Sequence, residues 1–211
     1  MKRALVFDFD GLILDTEWPE FVAWQKVFAD LGLTLAMEDW MHVVGGPNQF
    51  DFRLKVEERL GRKPDWASID ASRLGHHKVL MAEQEILPGV RELMIDASAQ
   101  GWAIGVASSS SREWVFGNLR RLGLDSWIET MRTRDNVPRM KPHPDPYLLA
   151  CQDLGADPRQ SYAFEDSATG VAAARAAGLT VIAVPNRITK HHDLGGAHQV
   201  LKSLDLFKLP A

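Results

Sequence analysis

Asp8 and Asp10 stand two residues apart at the end of an unbroken apolar run, and Gly11 follows at once. A glycine lets the chain turn sharply there, so both carboxylates stay over one edge of whatever the run belongs to. Glu165 and Asp166 form a second acidic pair. Adjacent carboxylates make a site for a hard cation, and Mg²⁺ takes oxygen ligands in octahedral geometry, usually one or two carboxylates plus phosphate and water. Ser108 opens a run of four serines ahead of a helix-like segment, and a helix start presents free N–H groups and a positive dipole end to an anion. Lys141 lies in Lys141-Pro142-His143-Pro144-Asp145-Pro146, where Pro142 keeps the backbone extended and disfavours a helix at the lysine. Each group also has an ordinary reading. These are a solvated turn for Asp-x-Asp, a capping box between Ser110 and Glu113, a solvated lysine, and acids that complement a helix dipole.

Strands must deliver these groups to one place. Residues 4–7 are apolar throughout, as in a strand buried on both faces of a sheet, and the run ends in Asp8. From Pro88 onward helix and strand alternate. Helix 90–99 stops at Gly101, strand 103–107 ends at Ser108, and helix 112–122 stops at Gly123. A strand over 128–133, a helix over 146–154 with Gly155 as its stop and a strand over 162–165 follow. Helix 168–177, stopped by Gly178, and strand 180–184 close the series. Such alternation predicts an α/β fold with a doubly wound, Rossmann-like parallel sheet, whose ligands bind beyond the C-terminal strand ends. Residues 16–87 read as helices only. Phe21, Trp24, Phe28 and Leu31 are spaced for one helix over 17–31, capped by Asp15 and Thr16, and further helical patterns cover 37–44, 49–60 and 66–84. Two domains are expected: an α/β core made of 1–15 and 88–211, and a helical insert at 16–87.

Composition narrows the classes of function. With 45% hydrophobic and 25% charged residues the chain is an ordinary globular protein, and its net charge of -4 offers no general attraction to nucleic acid. No run approaches the roughly 18 apolar residues of a membrane span, and Met1-Lys2-Arg3 leads into strand rather than a signal sequence. A cytoplasmic protein without membrane or nucleic-acid partners, monomeric or homodimeric, is expected. Cys151 stands alone, which excludes an internal disulfide and a cysteine metal cluster and suits a buried, inert thiol. The adjacent pairs His76-His77 and His191-His192 do not suit zinc, because neighbouring side chains diverge on a helix. Trp18, Trp24, Trp40 and Trp66 fall in the helical insert, where packing between helices is the ordinary role.

Asp8-Phe9-Asp10-Gly11 with Leu14-Asp15-Thr16-Glu17 resembles the first motif of the haloacid dehalogenase-like superfamily, in its phosphatase and phosphomutase branch. Ser108 resembles the second motif, Lys141 the third, and Glu165-Asp166-Ser167-Ala168-Thr169-Gly170 the fourth in its β-phosphoglucomutase-like form. The four occur in order at strand ends, and the insert lies where that family carries its first type of cap domain. The resemblance implies that Asp8 is a nucleophile towards phosphorus and Asp10 its acid/base partner. Ser108, Ser109 and Lys141 would hold the phosphoryl group, and Asp8, Asp10, Glu165 and Asp166 would hold Mg²⁺. The electrostatics agree with this set, since a carboxylate attacking a phosphate monoester needs a cation between two anions, and one carboxyl group must serve both as acid and as base. Gly45 and Gly46 are candidates for a specificity loop. The expected activity is Mg²⁺-dependent hydrolysis of a small phosphate monoester, a sugar phosphate, through an aspartyl phosphate. A phosphomutase is the alternative, but Glu20 stands where the mutases carry a cap histidine. Dehalogenases lack the second acid and the metal, phosphonate-cleaving relatives need a marked cap lysine, and a phospho-acceptor or sensor has no use for Asp10.

Overall fold

The computed structural model describes residues 2–41 and 52–210. In chain order the elements are β1 (Ala4–Phe7), α1 (Glu17–Asp30), α2 (Met37–Met41), α3 (Phe52–Leu60), α4 (Trp66–Ala82), α5 (Val90–Ala99), β2 (Ala103–Ala107), α6 (Arg112–Arg121), β3 (Thr130–Arg132), α7 (Asp145–Leu154), β4 (Tyr162–Glu165), α8 (Ala168–Ala176), β5 (Thr180–Ala183) and β6 (Gln199–Val200). The strands form one parallel sheet in the order β3-β2-β1-β4-β5-β6. The chain winds outward from β1 through β2 and β3, then returns to β4 on the other side. That reversal beside β1 makes the crevice in which open α/β sheets bind their ligands.

Register brings the polar groups to one level. Phe7 lies opposite Val106 of β2 and Phe164 of β4, so Asp8, Ser108 and Glu165 all emerge at the same rim. β1 is wholly buried, as its unbroken apolar run requires, and Phe7 stacks on Phe164 with ring centroids 4.8 Å apart. Small residues on the strands, among them Ala4, Ala103 and Ala163, form one core cluster with Tyr147, Cys151 and Leu154 of α7. Cys151 is buried there, and burial pushes its thiol up to about 11, so it stays protonated and inert.

The chain divides into two compact units, Met1–Asp15 with Glu85–Ala211, and Thr16–Gln84. In the second unit aromatic rings provide the packing. Trp24 and Trp40 each stack on Phe52, at 5.2 and 5.1 Å, and Phe21 meets Trp40 at 5.7 Å. Glu20 of α1 accepts from Trp24 Nε1 at 3.1 Å and pairs with Arg73 of α4.

Four local expectations change. Thr16 does precede α1 but makes no side-chain cap, and the buried Asp15 carboxylate meets Arg187 at 3.0 Å instead. Ser111, not Ser110, caps α6 by accepting from Trp114 N. The strand over 128–133 shortens to β3, which follows a single 3-10 turn over Asp125–Trp127. β5 does not close the sheet. β6 adds two exposed residues beside it, too few to leave a periodic signal. Within the helical patterns over 37–44 and 49–60 the described residues form α2 and α3, while residues 42–51, Gly45 and Gly46 among them, lie outside the described residues.

Candidate active site

The turn after β1 sets the geometry. Asp8 N donates to Phe164 O at 2.9 Å, extending the sheet by one step, and Gly11 N then closes a turn onto Leu14 O at 2.8 Å. Gly11 has φ +80°, and a Cβ there would lie 2.4 Å from Asp166 Oδ2 and 2.6 Å from Asn186 Nδ2. Glycine is thus required twice, for its backbone conformation and for the closeness of the fourth motif.

Lys141 reaches this turn from its proline-bracketed loop. Its Nζ donates to Asp8 Oδ1 at 2.7 Å and also to Glu165 Oε1, with only 4% of its side chain exposed. Glu165 is completely buried at the end of β4. Its Oε1 also accepts from Tyr147 Oη at 2.6 Å, and Oε2 accepts from the backbone N–H groups of Asp166 and Ser167 and from Ser167 Oγ at 3.1 Å. Such a set of donors satisfies a buried carboxylate that would otherwise be costly. Gly170 makes room for it, because a Cβ at that position would fall 1.8 Å from Glu165 Oε1. Asp166 is held through Oδ2, which accepts from Asn186 Nδ2 at 2.8 Å and Thr189 Oγ1 at 3.3 Å.

Asp10 faces the second motif. Its Oδ2 accepts from Ser110 Oγ at 2.7 Å and Ser108 Oγ at 3.2 Å, and its Oδ1 from Trp114 Nε1 at 2.8 Å. Ser108 is fully buried, and its Oγ accepts from Ser110 N at 3.0 Å. Ser109 is exposed. One network of contacts therefore joins Asp8, Lys141, Glu165 and Asp166, and a second joins Asp10 to Ser108.

Asp8, Glu165 and Asp166 are all buried, and each offers a carboxylate oxygen within 4.8 Å of the others. Burial pushes the Asp8 carboxyl up to about 7, with Glu165 and Asp10 adding to the shift and Lys141 opposing it. Burial alone would favour the neutral Lys141 amine, but the Asp8 and Glu165 carboxylates outweigh it and raise its pKa. Burial, followed by Glu165, holds the Tyr147 hydroxyl well above its ordinary value, so it remains a donor. Lys141 thus offsets only part of the negative charge. A buried, all-oxygen donor set with charge to spare fits a hard divalent cation.

Several members escape a sequence reading. By type Ser110 suits a cap, Trp114 and Tyr147 fall within helical patterns, and Asn186 and Thr189 lie beyond the last strand signal at 180–184. The spacing Asn186-x-x-Thr189 carried a usable signal, since Asn186 Oδ1 accepts from Ile188 N and Thr189 N in a local turn of the kind such residues favour.

A sequence model of the family described as haloacid dehalogenase-like hydrolase matches residues 5–184. YhcW of Bacillus subtilis (strain 168) is 39% identical over 189 residues, covering 90% of this chain and 86% of that protein. Fructose-1-phosphate phosphatase YqaB of Escherichia coli (strain K12) is 31% identical over 187 residues, covering 86% and 95%. Among solved structures, a family hydrolase of Deinococcus radiodurans R1 with bound phosphate and sodium superposes with a TM-score of 0.80 at 30% identity, covering 95% of this chain and 90% of that one. By its sequence, its sheet and its relatives, the chain belongs to the haloacid dehalogenase-like hydrolases and is an enzyme of their phosphatase branch.

Proposed function

We propose that the protein is a Mg²⁺-dependent phosphatase of a small phosphorylated sugar, working through an aspartyl phosphate on Asp8. The observation that carries this reading is the convergence of three buried acids from two strands with Lys141, which touches both Asp8 and Glu165. Asp8 attacks phosphorus while Lys141 offsets charge on the nucleophile and on the phosphoryl oxygens. Asp10 gives a proton to the leaving oxygen and then takes one from the water that cleaves the acyl phosphate. Ser108 and the start of α6 seat the phosphoryl group. Asp8, Asp10 and Asp166 would hold Mg²⁺, with Glu165 joining directly or through water, and the ion would supply neutralising charge between two anions. Residues 16–87 act as a cap that excludes water during the first step. The name of the Escherichia coli relative supports a sugar phosphate as substrate. Glu20 is tied to Trp24 and Arg73, which leaves a carboxylate at the position of the mutase histidine and supports hydrolysis over isomerisation.

Phosphate release from sugar phosphates, fructose 1-phosphate among them, from nucleotides and from phosphorylated small acids tests the assignment, with Mg²⁺ or EDTA present. Repeated turnover that EDTA abolishes, highest in kcat/KM on a sugar phosphate, is expected. A folded, metal-loaded protein that releases phosphate from none of them would refute it.

The metal also leaves a thermodynamic signature. Because folding raises the Asp8 carboxyl from 3.8 to about 7, the folded state holds that proton more tightly, and the metal-free protein loses stability as pH rises through this window. The loss reaches up to roughly 4 kcal/mol from this group. Lys141, raised rather than lowered, contributes evenly below its ordinary value and does not alter the sign. Mg²⁺ competes with the proton, so its stabilisation should be several-fold larger in kcal/mol at pH 7.5 than at pH 5. Thermal unfolding at both pH values, with Mg²⁺ or EDTA, reads this directly. Equal Mg²⁺ shifts at the two would contradict it.

A further inference from the structure

Trp114 is the third residue of α6, in the turn that begins the helix. Its backbone N–H is tied to the Ser111 cap and its neighbour Val115 is fully buried, so the base of the side chain is fixed. The indole Nε1–H donates to Asp10 Oδ1, while Ser108 and Ser110 meet Oδ2. These partners differ in kind. A serine hydroxyl can donate or accept, whereas an indole N–H only donates. When Asp10 carries a proton, Oδ1 must therefore remain an acceptor, while the serine hydroxyls can turn to accommodate a proton on Oδ2.

We infer that Trp114 is a positioning residue for acid–base catalysis, which fixes the orientation of Asp10 through Oδ1 and keeps its transferable proton on Oδ2. This rests on the reading of Asp10 as the acid. In the step concerned, an Asp8 oxygen forms a bond to phosphorus as the bond from phosphorus to the leaving oxygen breaks. The proton passes from Asp10 Oδ2 to that oxygen, the alcohol departs neutral, and Asp10 is left as a carboxylate. Misorienting the acid harms this step most when the leaving group is basic, because a good leaving group needs little protonation.

The test is kcat/KM for a series of substituted phenyl phosphates, from 4-nitrophenyl phosphate to unsubstituted phenyl phosphate, at saturating Mg²⁺. Trp114→Phe keeps a ring and removes the N–H. It should lose about threefold on the nitrophenyl ester and about thirtyfold on the phenyl ester, a steeper dependence on the leaving group than wild type shows. Asp10→Asn should be steeper still. Trp114→His, whose five-membered ring can offer Nε2–H in place of the indole donor, should recover part of the slope. A uniform loss across the series for Trp114→Phe, or no loss, would overturn the inference while leaving the phosphatase reading intact. If Asp10→Asn itself shows no dependence on the leaving group, the acid role falls, and the inference falls with it. On a sugar phosphate, whose leaving alkoxide is more basic than phenoxide, Trp114→Phe should lose at least as much as on phenyl phosphate. Wild type that turns over neither the aryl esters nor any sugar phosphate would count against both.

Discussion

Asp8→Asn is expected to be folded, more stable than wild type without metal, and at least 10³-fold slower in phosphate release. The two effects have one cause. A carboxylate pressed up to about 7 by burial and by Glu165 is held in an unfavourable environment, and a neutral amide of the same shape relieves it. Lys141 keeps Glu165 as a partner when Asp8 changes, so no buried charge is orphaned. The relief should be about 1–2 kcal/mol at pH 7.5 without metal, or a rise of roughly 2–8 °C in Tm for a chain of this size. The amide oxygen is a poor nucleophile, so activity goes while the fold gains. A variant that loses activity and stability together would instead mark Asp8 as a structural residue.

Gly170→Ala should damage both stability and activity. In an exposed helix, alanine in place of glycine stabilises by about 1 kcal/mol. Here the added Cβ would lie 1.8 Å from Glu165 Oε1 and 2.1 Å from Oε2, well inside contact distance. The carboxylate cannot simply step aside, because it is fully buried and held by Lys141, Tyr147, Ser167 and two backbone N–H groups. Moving it takes from Lys141 one of its two carboxylate partners, Asp8 being the other, and from the buried Tyr147 hydroxyl its acceptor, and moving α8 instead disturbs the Ser167 cap, whose Oγ accepts from Gly170 N at 3.1 Å. Overpacking together with a broken buried ion pair should cost about 3–5 kcal/mol and lower activity by at least 100-fold. Thermal unfolding and turnover of the variant measure both. An unchanged or raised Tm would mean that the space around Glu165 is larger than this geometry allows.

What could be read in the sequence was local. The apolar run of β1 ending in Asp8, and the glycine stops after α5, α6, α7 and α8, specify a parallel sheet with its polar groups at one rim, because both signals lie within a few residues. Motif order then linked Asp8 to Lys141 across 133 positions, a pairing that no periodicity encodes. Where neither source applied, the reading failed in a consistent way. Ser110 and Ser111 are equally good caps by type, and only the path of the chain decides that Ser111 turns to the helix and Ser110 to Asp10. Trp114 resembles any aromatic in a first helical turn, although its partner lies 104 residues earlier. Gly170 looks like an ordinary small residue in an alanine-rich helix until Glu165 is seen against it. β6 and the Asp15–Arg187 pair depend on the far end of the chain returning to the sheet.

The aspartyl phosphate on Asp8 is the claim on which the rest depends. A reaction with its best phosphate ester and Mg²⁺, quenched in acid during turnover and digested, should yield a phosphorylated peptide containing Asp8. Hydroxylamine should release that phosphoryl group, as it does from an acyl phosphate, and Asp8→Asn should never acquire it. Steady turnover without phosphoryl group on that peptide, or with it on another residue, would contradict the account.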